Sequence, residues 1–263
     1  MTERFSGADR TLARRIEAGH AHSAAASMRG LAVERIGDSW AIFHQVDSPV
    51  SQAIGLGMDG GITPAELDRL EAFYHARGSA AVIDLCTIAD PGLLAMISER
   101  GYTIREISNV VVRRLDRAEQ FAETPSITIE PVAADQFPSW MRMAVEGFAS
   151  TPDVPEDAAM LGSANPWPEA FFGLWDGSRA ATAAMDIDAG LATLIGDATL
   201  IHARGRGLQR ALIRHRLRRA AQLGCDLATA SVQPGSVSHR NYERAGFELL
   251  YARVMVSRAA PAA

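Results

Sequence analysis

Thr199-Leu-Ile-His-Ala-Arg-Gly-Arg-Gly-Leu-Gln209, followed at once by Arg210-Ala-Leu-Ile-Arg-His-Arg-Leu217, is the stretch whose reading decides the fold. It reads as a strand end, a glycine-rich turn and the start of an apolar-periodic helix. Gly205 and Gly207 lack the side chains that would keep a phosphate from the backbone, so successive N–H groups at the helix start can point at an anion. Arg204, Arg206 and Arg210 add guanidinium charge at the same place. A dinucleotide loop needs Gly-x-Gly-x-x-Gly with an acid further on, and a P-loop needs Gly-Lys-Ser/Thr. Neither spacing occurs here.

A second stretch follows downstream. Asp226-Leu-Ala-Thr-Ala-Ser-Val232 reads as a short buried strand, and Gln233 to Ala245 as a turn and a helix. Gly246-Phe247 closes that helix with a glycine just past its end. Together the two stretches resemble the GNAT acetyltransferase superfamily. Its pyrophosphate loop, Gln/Arg-x-x-Gly-x-Gly/Ala, is matched by Arg204, Gly205, Arg206, Gly207 and Leu208 in order, and Gln209 stands where the last small residue is commonest. Its Tyr-x-x-x-Gly-Phe is matched by Tyr242, Gly246 and Phe247. The clear resemblance covers Leu191 to Val256.

The resemblance implies an α/β fold, of α+β mixed-sheet type, in which a twisted mixed sheet is flanked by helices. It implies an acyl-CoA-dependent N-acyltransferase with acetyl-CoA as co-substrate, whose thioester an amine attacks directly, with no acyl-enzyme. The loop Arg204 to Arg210 would hold the pyrophosphate. Backbone groups of Asp197, Ala198 and Thr199 would guide the pantetheine arm, with Ser238 and Asn241 as further hydrogen-bonding candidates. Tyr242 is at the position from which the superfamily often protonates the leaving thiolate, and a phenol of pKa ~10 matches a thiolate in basicity. For the base, Asp197, Asp186, Asp188 and Glu146 are all candidates, and a water chain is an alternative.

Composition sets the outer bounds. At 263 residues, 48% hydrophobic and 22% charged, the chain has room for one large or two modest cores, and no uncharged run is long enough to span a bilayer. Arg4, Arg10, Arg14, Arg15 and Glu17 interrupt any leader pattern near Met1, so a cytoplasmic setting is expected. Cys86 and Cys225 are too few for a disulfide framework, and His202 and His215 lack a third partner at metal spacing, so no metal is expected. Every basic residue is Arg, which together with abundant Ala suggests a bacterial genome rich in G and C. A net charge of −5 and the missing aromatic platform argue against nucleic acid as a partner.

Charge is unevenly spread. Glu123 to Leu200 holds twelve Asp or Glu against Arg142 and Arg179, whereas Ile201 onward holds eleven Arg against Asp226, Glu243 and Glu248. The acidic stretch points to a cationic small-molecule amine as acceptor. On the helix after the loop, Leu208, Ala211, Leu212, His215 and Leu223 form the expected apolar stripe. Arg214, Arg216, Arg218 and Arg219 then fall on a solvated polar side.

A faint repeat with an offset of about 145 residues organises the chain. Helix, Gly78, strand 80–85, Pro91, helix 92–100, Gly101-Tyr102 and strand in the first half match helix, Gly224, strand 226–232, Pro234, helix, Gly246-Phe247 and strand in the second. The first copy has Gly57-Met-Asp-Gly-Gly-Ile-Thr-Pro-Ala-Glu-Leu67 where the second has its loop, and Asp59 and Glu66 would repel a pyrophosphate. Thr63, Pro64 and Glu66 instead make a capped helix start. The expected organisation is a degenerate GNAT-like module over 1–116, a linker over 117–125, an acetyl-CoA-binding GNAT domain over 126–258 and a tail over 259–263. A CoA-binding regulatory protein without turnover is the alternative.

Overall fold

The structure is a computed structural model and describes residues 9–27, 32–119, 126–149 and 169–260. Most of the expected linker and the end of the expected tail lie outside the described residues. The chain divides into two compact units, Met1–Val110 with Leu249–Ala263, and Val111–Glu248.

The first unit opens with helix α1 (Arg10–Ser27), the hairpin β1 (Ala32–Ile36) and β2 (Ser39–Phe43), and the short β3 (Ala53–Ile54). Helix α2 (Pro64–His75), β4 (Ala81–Cys86) and α3 (Pro91–Glu99) follow. The Thr63 hydroxyl accepts the Glu66 N–H and the Glu66 carboxylate takes the Thr63 N–H, so α2 starts on the capping box its sequence spells, with Pro64 at the first turn. β1–β2 and β2–β3 pair antiparallel, and β3–β4 parallel.

β5 (Thr103–Arg114) carries the chain past the division at Val110. The second unit then runs β6 (Ile127–Pro131), α4 (Phe137–Ala149), β7 (Glu169–Trp175), β8 (Ser178–Asp188) and β9 (Leu191–Thr199). α5 (Leu208–Gln222), β10 (Leu227–Val232) and α6 (Val237–Arg244) complete it. β6 through β9 pair antiparallel in sequence, and β10 joins β9 in parallel. Asp176 and Gly177, both at positive φ, close the β7–β8 hairpin with the two-residue turn that matches strand twist. The architecture is mixed α/β with helices against mixed sheet, as the resemblance implied.

The last strand, β11 (Glu248–Arg258), differs from the expected division. It pairs antiparallel with β4, from Arg253 opposite Cys86 to Arg258 opposite Ala81, and so belongs to the first unit. Its buried residues Leu250, Tyr251 and Val256 carry no sign of which half they serve. Strand pairing is set by partners far away in the chain, and apolar alternation reports burial alone.

Candidate active site

The second unit assembles its site from β9, the loop after it, α5 and α6. β9 and β10 pair only as far as Thr193 opposite Thr229, while β9 continues to Thr199 and β10 to Val232. Past that point the two parallel strands are no longer bonded to each other. The β8–β9 register also shifts: Thr182 stands opposite Ala198, but Ala184 stands opposite Ile195, so β9 carries one extra residue. Gly196, at φ +68, sits in this bulge.

The bulge decides where Asp197 points. Leu194 packs with Ile213 and Leu217 of α5, and Ile195 packs with the Trp140 cluster of α4. Strict alternation would send Asp197 toward α4. The inserted residue reverses the alternation, and Asp197 meets Arg216 of α5 while Ala198 lies against Gly147 of α4. A Cβ on Gly196 would come within 2.8 Å of the Trp140 ring, so the bulge also has no room for a side chain.

Three side chains form a buried chain of bonds. Arg216 Nη2 pairs with Asp197 Oδ1 at 2.5 Å, and the Tyr242 hydroxyl donates to Asp197 Oδ2 at 2.7 Å. Arg216 Nη1 also donates to the carbonyls of Ala184 and Ile195 beside the bulge, at 2.8 and 3.2 Å, and Nε donates to Leu212. Burial, then the charge of Asp197, hold the Tyr242 phenol well above its ordinary pKa, with Arg216 opposing them, so this phenol gives up its proton less readily than the expected match with a thiolate implied. Burial works against the Arg216 charge, and Asp197 more than restores it.

The expectation that Arg216 lies on a solvated face is therefore wrong: its side chain is 0% exposed. Leu223, placed in the apolar stripe, is 44% exposed, and the buried face of α5 is Leu208, Ala211, Leu212, Ile213, Arg216, Leu217, Ala220 and Ala221. The signal was present in the spacing. Arg216 stands four residues after Leu212 and eight after Leu208, in the same helical row.

At the loop, Gly205 and Gly207 have φ +76 and +87, which a side chain would strain. A Cβ on Gly205 would meet nothing within 4 Å, and one on Gly207 would meet only Ile127 at 3.9 Å. The N-cap of α5 is Gly207, which has no side chain with which to cap the helix. Arg204 donates to the carbonyls of Thr199 and Gly147, tying the loop to β9 and α4. The Arg206 guanidinium lies 5.5 Å from the Trp175 ring centroid. Arg206 and Arg210 are exposed, with no carboxylate at ion-pair distance among the described residues. Open backbone at a helix start, together with guanidinium groups that hold no carboxylate, fits a phosphate-bearing ligand such as CoA.

Gln209, Ser238 and Asn241 come together as one polar cluster. Gln209 Nε2 donates to Ser238 Oγ at 2.8 Å, and Asn241 Nδ2 donates to Gln209 Oε1 at 2.7 Å. Gln209 thus joins the first turn of α5 to α6. Of the carboxylates considered as base, Asp197 is the one that meets Tyr242, while Glu146 is exposed on α4 and Asp186 and Asp188 are half-buried at the end of β8. His215 sits edge-on to Phe171 at 4.7 Å, and burial followed by neighbouring arginines lowers its pKa. Among the described residues no group of His, Cys, Asp and Glu is placed to hold a metal ion, and no helix is long and apolar enough to cross a membrane.

No protein-family model matches this sequence, and no curated protein does. Solved structures do match. The chain is similar to a GCN5-related N-acetyltransferase from Kribbella flavida, with a TM-score of 0.67 and 22% identity over 96% of each chain. It is similar to a tandem GNAT protein from the clavulanic acid biosynthesis pathway, with a TM-score of 0.58 and 13% identity over 98% of each. A GCN5-related N-acetyltransferase from Sphaerobacter thermophilus gives 0.53 and 18%, over 74% of this chain and 64% of that one. The fold is the GNAT fold, and its likeness to a tandem protein extends over nearly the whole chain.

Proposed function

We propose that this chain is an N-acetyltransferase, moving an acetyl group from acetyl-CoA to an amine, with its chemistry in the second half. The observation that carries the reading is the loop Arg204 to Arg210: two glycines at positive φ, an uncapped helix start and exposed arginines. When bound, acetyl-CoA supplies an activated acyl carbon and a thiolate leaving group. Arg206, Arg210 and the backbone of Gly205 to Leu208 hold the pyrophosphate, and Arg204 keeps the loop in place. Backbone groups of Asp197, Ala198 and Thr199, freed where β9 leaves β10, bind the pantetheine arm, beside Ser238 and Asn241. Tyr242 holds a proton for the departing sulfur, and the proton shed by the amine returns through solvent to the phenol. The acidic residues before Leu200 favour a cationic acceptor. The degenerate loop over Gly57 to Leu67 leaves 1–116 without a cofactor site, and the setting is the cytoplasm of a bacterium.

The test is an amine panel read by free CoA thiol, beside thermal shift with acetyl-CoA. Wild type is expected to be stabilised by millimolar acetyl-CoA and to release thiol with at least one cationic amine. Arg206→Ala with Arg210→Ala should weaken binding, each charge-assisted contact contributing about 1.5–3 kcal/mol. An unchanged melting temperature would sink the reading. Tight binding without thiol release would favour a regulatory CoA-binding protein, a reading supported by the Tyr242 proton already being engaged by Asp197.

A further inference from the structure

We infer that Arg216 is a positioning residue that acts through Asp197 to fix the Tyr242 hydroxyl where β9 has parted from β10. The inference deepens the acetyl-transfer reading and rests on it for the task given to the hydroxyl.

The geometry relays a fixed orientation from the sheet to the Tyr242 hydroxyl. The Ala184 and Ile195 carbonyls are part of the sheet beside the bulge, and Arg216 Nη1 is bonded to both. A guanidinium is planar, so fixing Nε and Nη1 fixes the direction of Nη2, which a lysine ammonium would leave free. Nη2 meets one oxygen of Asp197, and the other oxygen accepts the Tyr242 hydroxyl. Tyr242 belongs to the helix after β10, and its hydroxyl reaches β9 four residues beyond the last paired residue, Thr193. A buried ion pair is a poor device for stability alone, because desolvation offsets most of its attraction. What this one provides is a single orientation for the carboxylate.

Charge completes the argument. The phenol faces Asp197 from β9 and Arg216 from α5, and its own helix sets its ring edge-on to Phe247 at 4.9 Å. The hydrophobic residues clustered with it include Val111 of β5, Met185 of β8 and residues of β9, β10 and α5, with the Cys225 thiol among them. When Tyr242 yields its proton to the departing sulfur, the O–H bond breaks, an S–H bond forms and a phenolate remains beside Asp197. Arg216 offsets that second negative charge until solvent returns the proton.

Ultraviolet titration of tyrosine tests this without turnover. The chain has 4 tyrosines, and burial holds Tyr74, Tyr102 and Tyr251 above the ordinary range as well. Wild type should therefore show no tyrosinate up to pH ~10. In Asp197→Asn the phenol faces Arg216 with no carboxylate between them, so one tyrosine should titrate lower by about one unit or more. That signal should vanish in Asp197→Asn combined with Tyr242→Phe. In Arg216→Lys, with circular dichroism unchanged, kcat should fall about 10- to 100-fold while KM for acetyl-CoA holds. Titration unchanged in Asp197→Asn, or wild-type kcat in a folded Arg216→Lys, overturns the inference. If the Arg216 variant does not fold, the Asp197→Asn titration decides. A wild type inactive on every amine, with the titration shifting as expected, removes the acetyl-transfer reading and leaves the coupling of Arg216 to Tyr242 standing.

Discussion

The two units contain the same trio of groups in different settings. In the first, Tyr251 and Arg253 of β11 both bond to Glu17 of α1, at 2.5 and 2.8 Å, and Glu17 is fully buried. In the second, Tyr242 and Arg216 bond to Asp197, where β9 has separated from β10. The loops differ in the same sense. Around Gly57 the donors are already used, since the Asp38 carboxylate accepts the N–H groups of Gly57, Met58 and Asp59 at 3.1, 2.7 and 2.8 Å. At α5 the N-cap is Gly207 itself, which has no side chain to bond the first N–H groups of the helix. The comparison teaches that one trio of groups can be set wholly within a core or beside two parallel strands that have parted, and only the second setting matches the chemistry proposed here.

The largest expected effect would break the comparison from the structural side. Glu17→Ala removes from the buried Arg253 the carboxylate bonded to it at 2.8 Å and leaves the Asp84 carboxylate at 3.5 Å. That should cost about 3–5 kcal/mol, read as a lower urea midpoint. Acetyl-CoA affinity of the protein that remains folded should hold. Lost affinity without lost stability would mean that the first trio also serves ligand binding.

A smaller effect sharpens the contrast between the loops. Asp38→Ala strips three backbone N–H groups of their acceptor and should cost about 1–3 kcal/mol. Sulfate should restore part of this in the variant and not in wild type, because the vacated donors would then take an anion. Equal sulfate dependence in both proteins would show that the Asp38 carboxylate is not what closes this loop.

The smallest effect concerns acid. Hydrogen bonds from the Thr63 backbone and hydroxyl hold the Glu66 carboxyl below its ordinary pKa. The folded value lies below the unfolded one, so the stabilisation is complete above the ordinary value of ~4.3 and is lost as pH falls through the lowered one. Glu66→Gln should make the acid limb of thermal stability slightly shallower. An identical limb would mean that the capping box does not stabilise α2.

Much of this was legible because the signals are local. The capping box of α2, the Asp176-Gly177 turn and the Gly246 stop, where Phe247 N–H bonds to the Tyr242 carbonyl, each depend on residues within a few positions of one another. The loop Arg204 to Gln209 and the position of Tyr242 were readable for the same reason. Arg216 was misread because charge was given more weight than its place in a buried row, and a charge is buried only where a distant partner meets it.

The order of residues determined by itself the helices and strands, the glycine loop at the start of α5 and the repeat of one α/β plan, since turns, caps and periodicity are settled by neighbours in sequence. Only the tertiary structure decided that β11 pairs with β4, that an extra residue at Gly196 turns Asp197 toward α5, and that Arg216 and Tyr242 meet on its carboxylate. These depend on register and on contacts across tens to more than a hundred residues. No local pattern records which strand stands next to which, or where a strand gains a residue and its faces exchange.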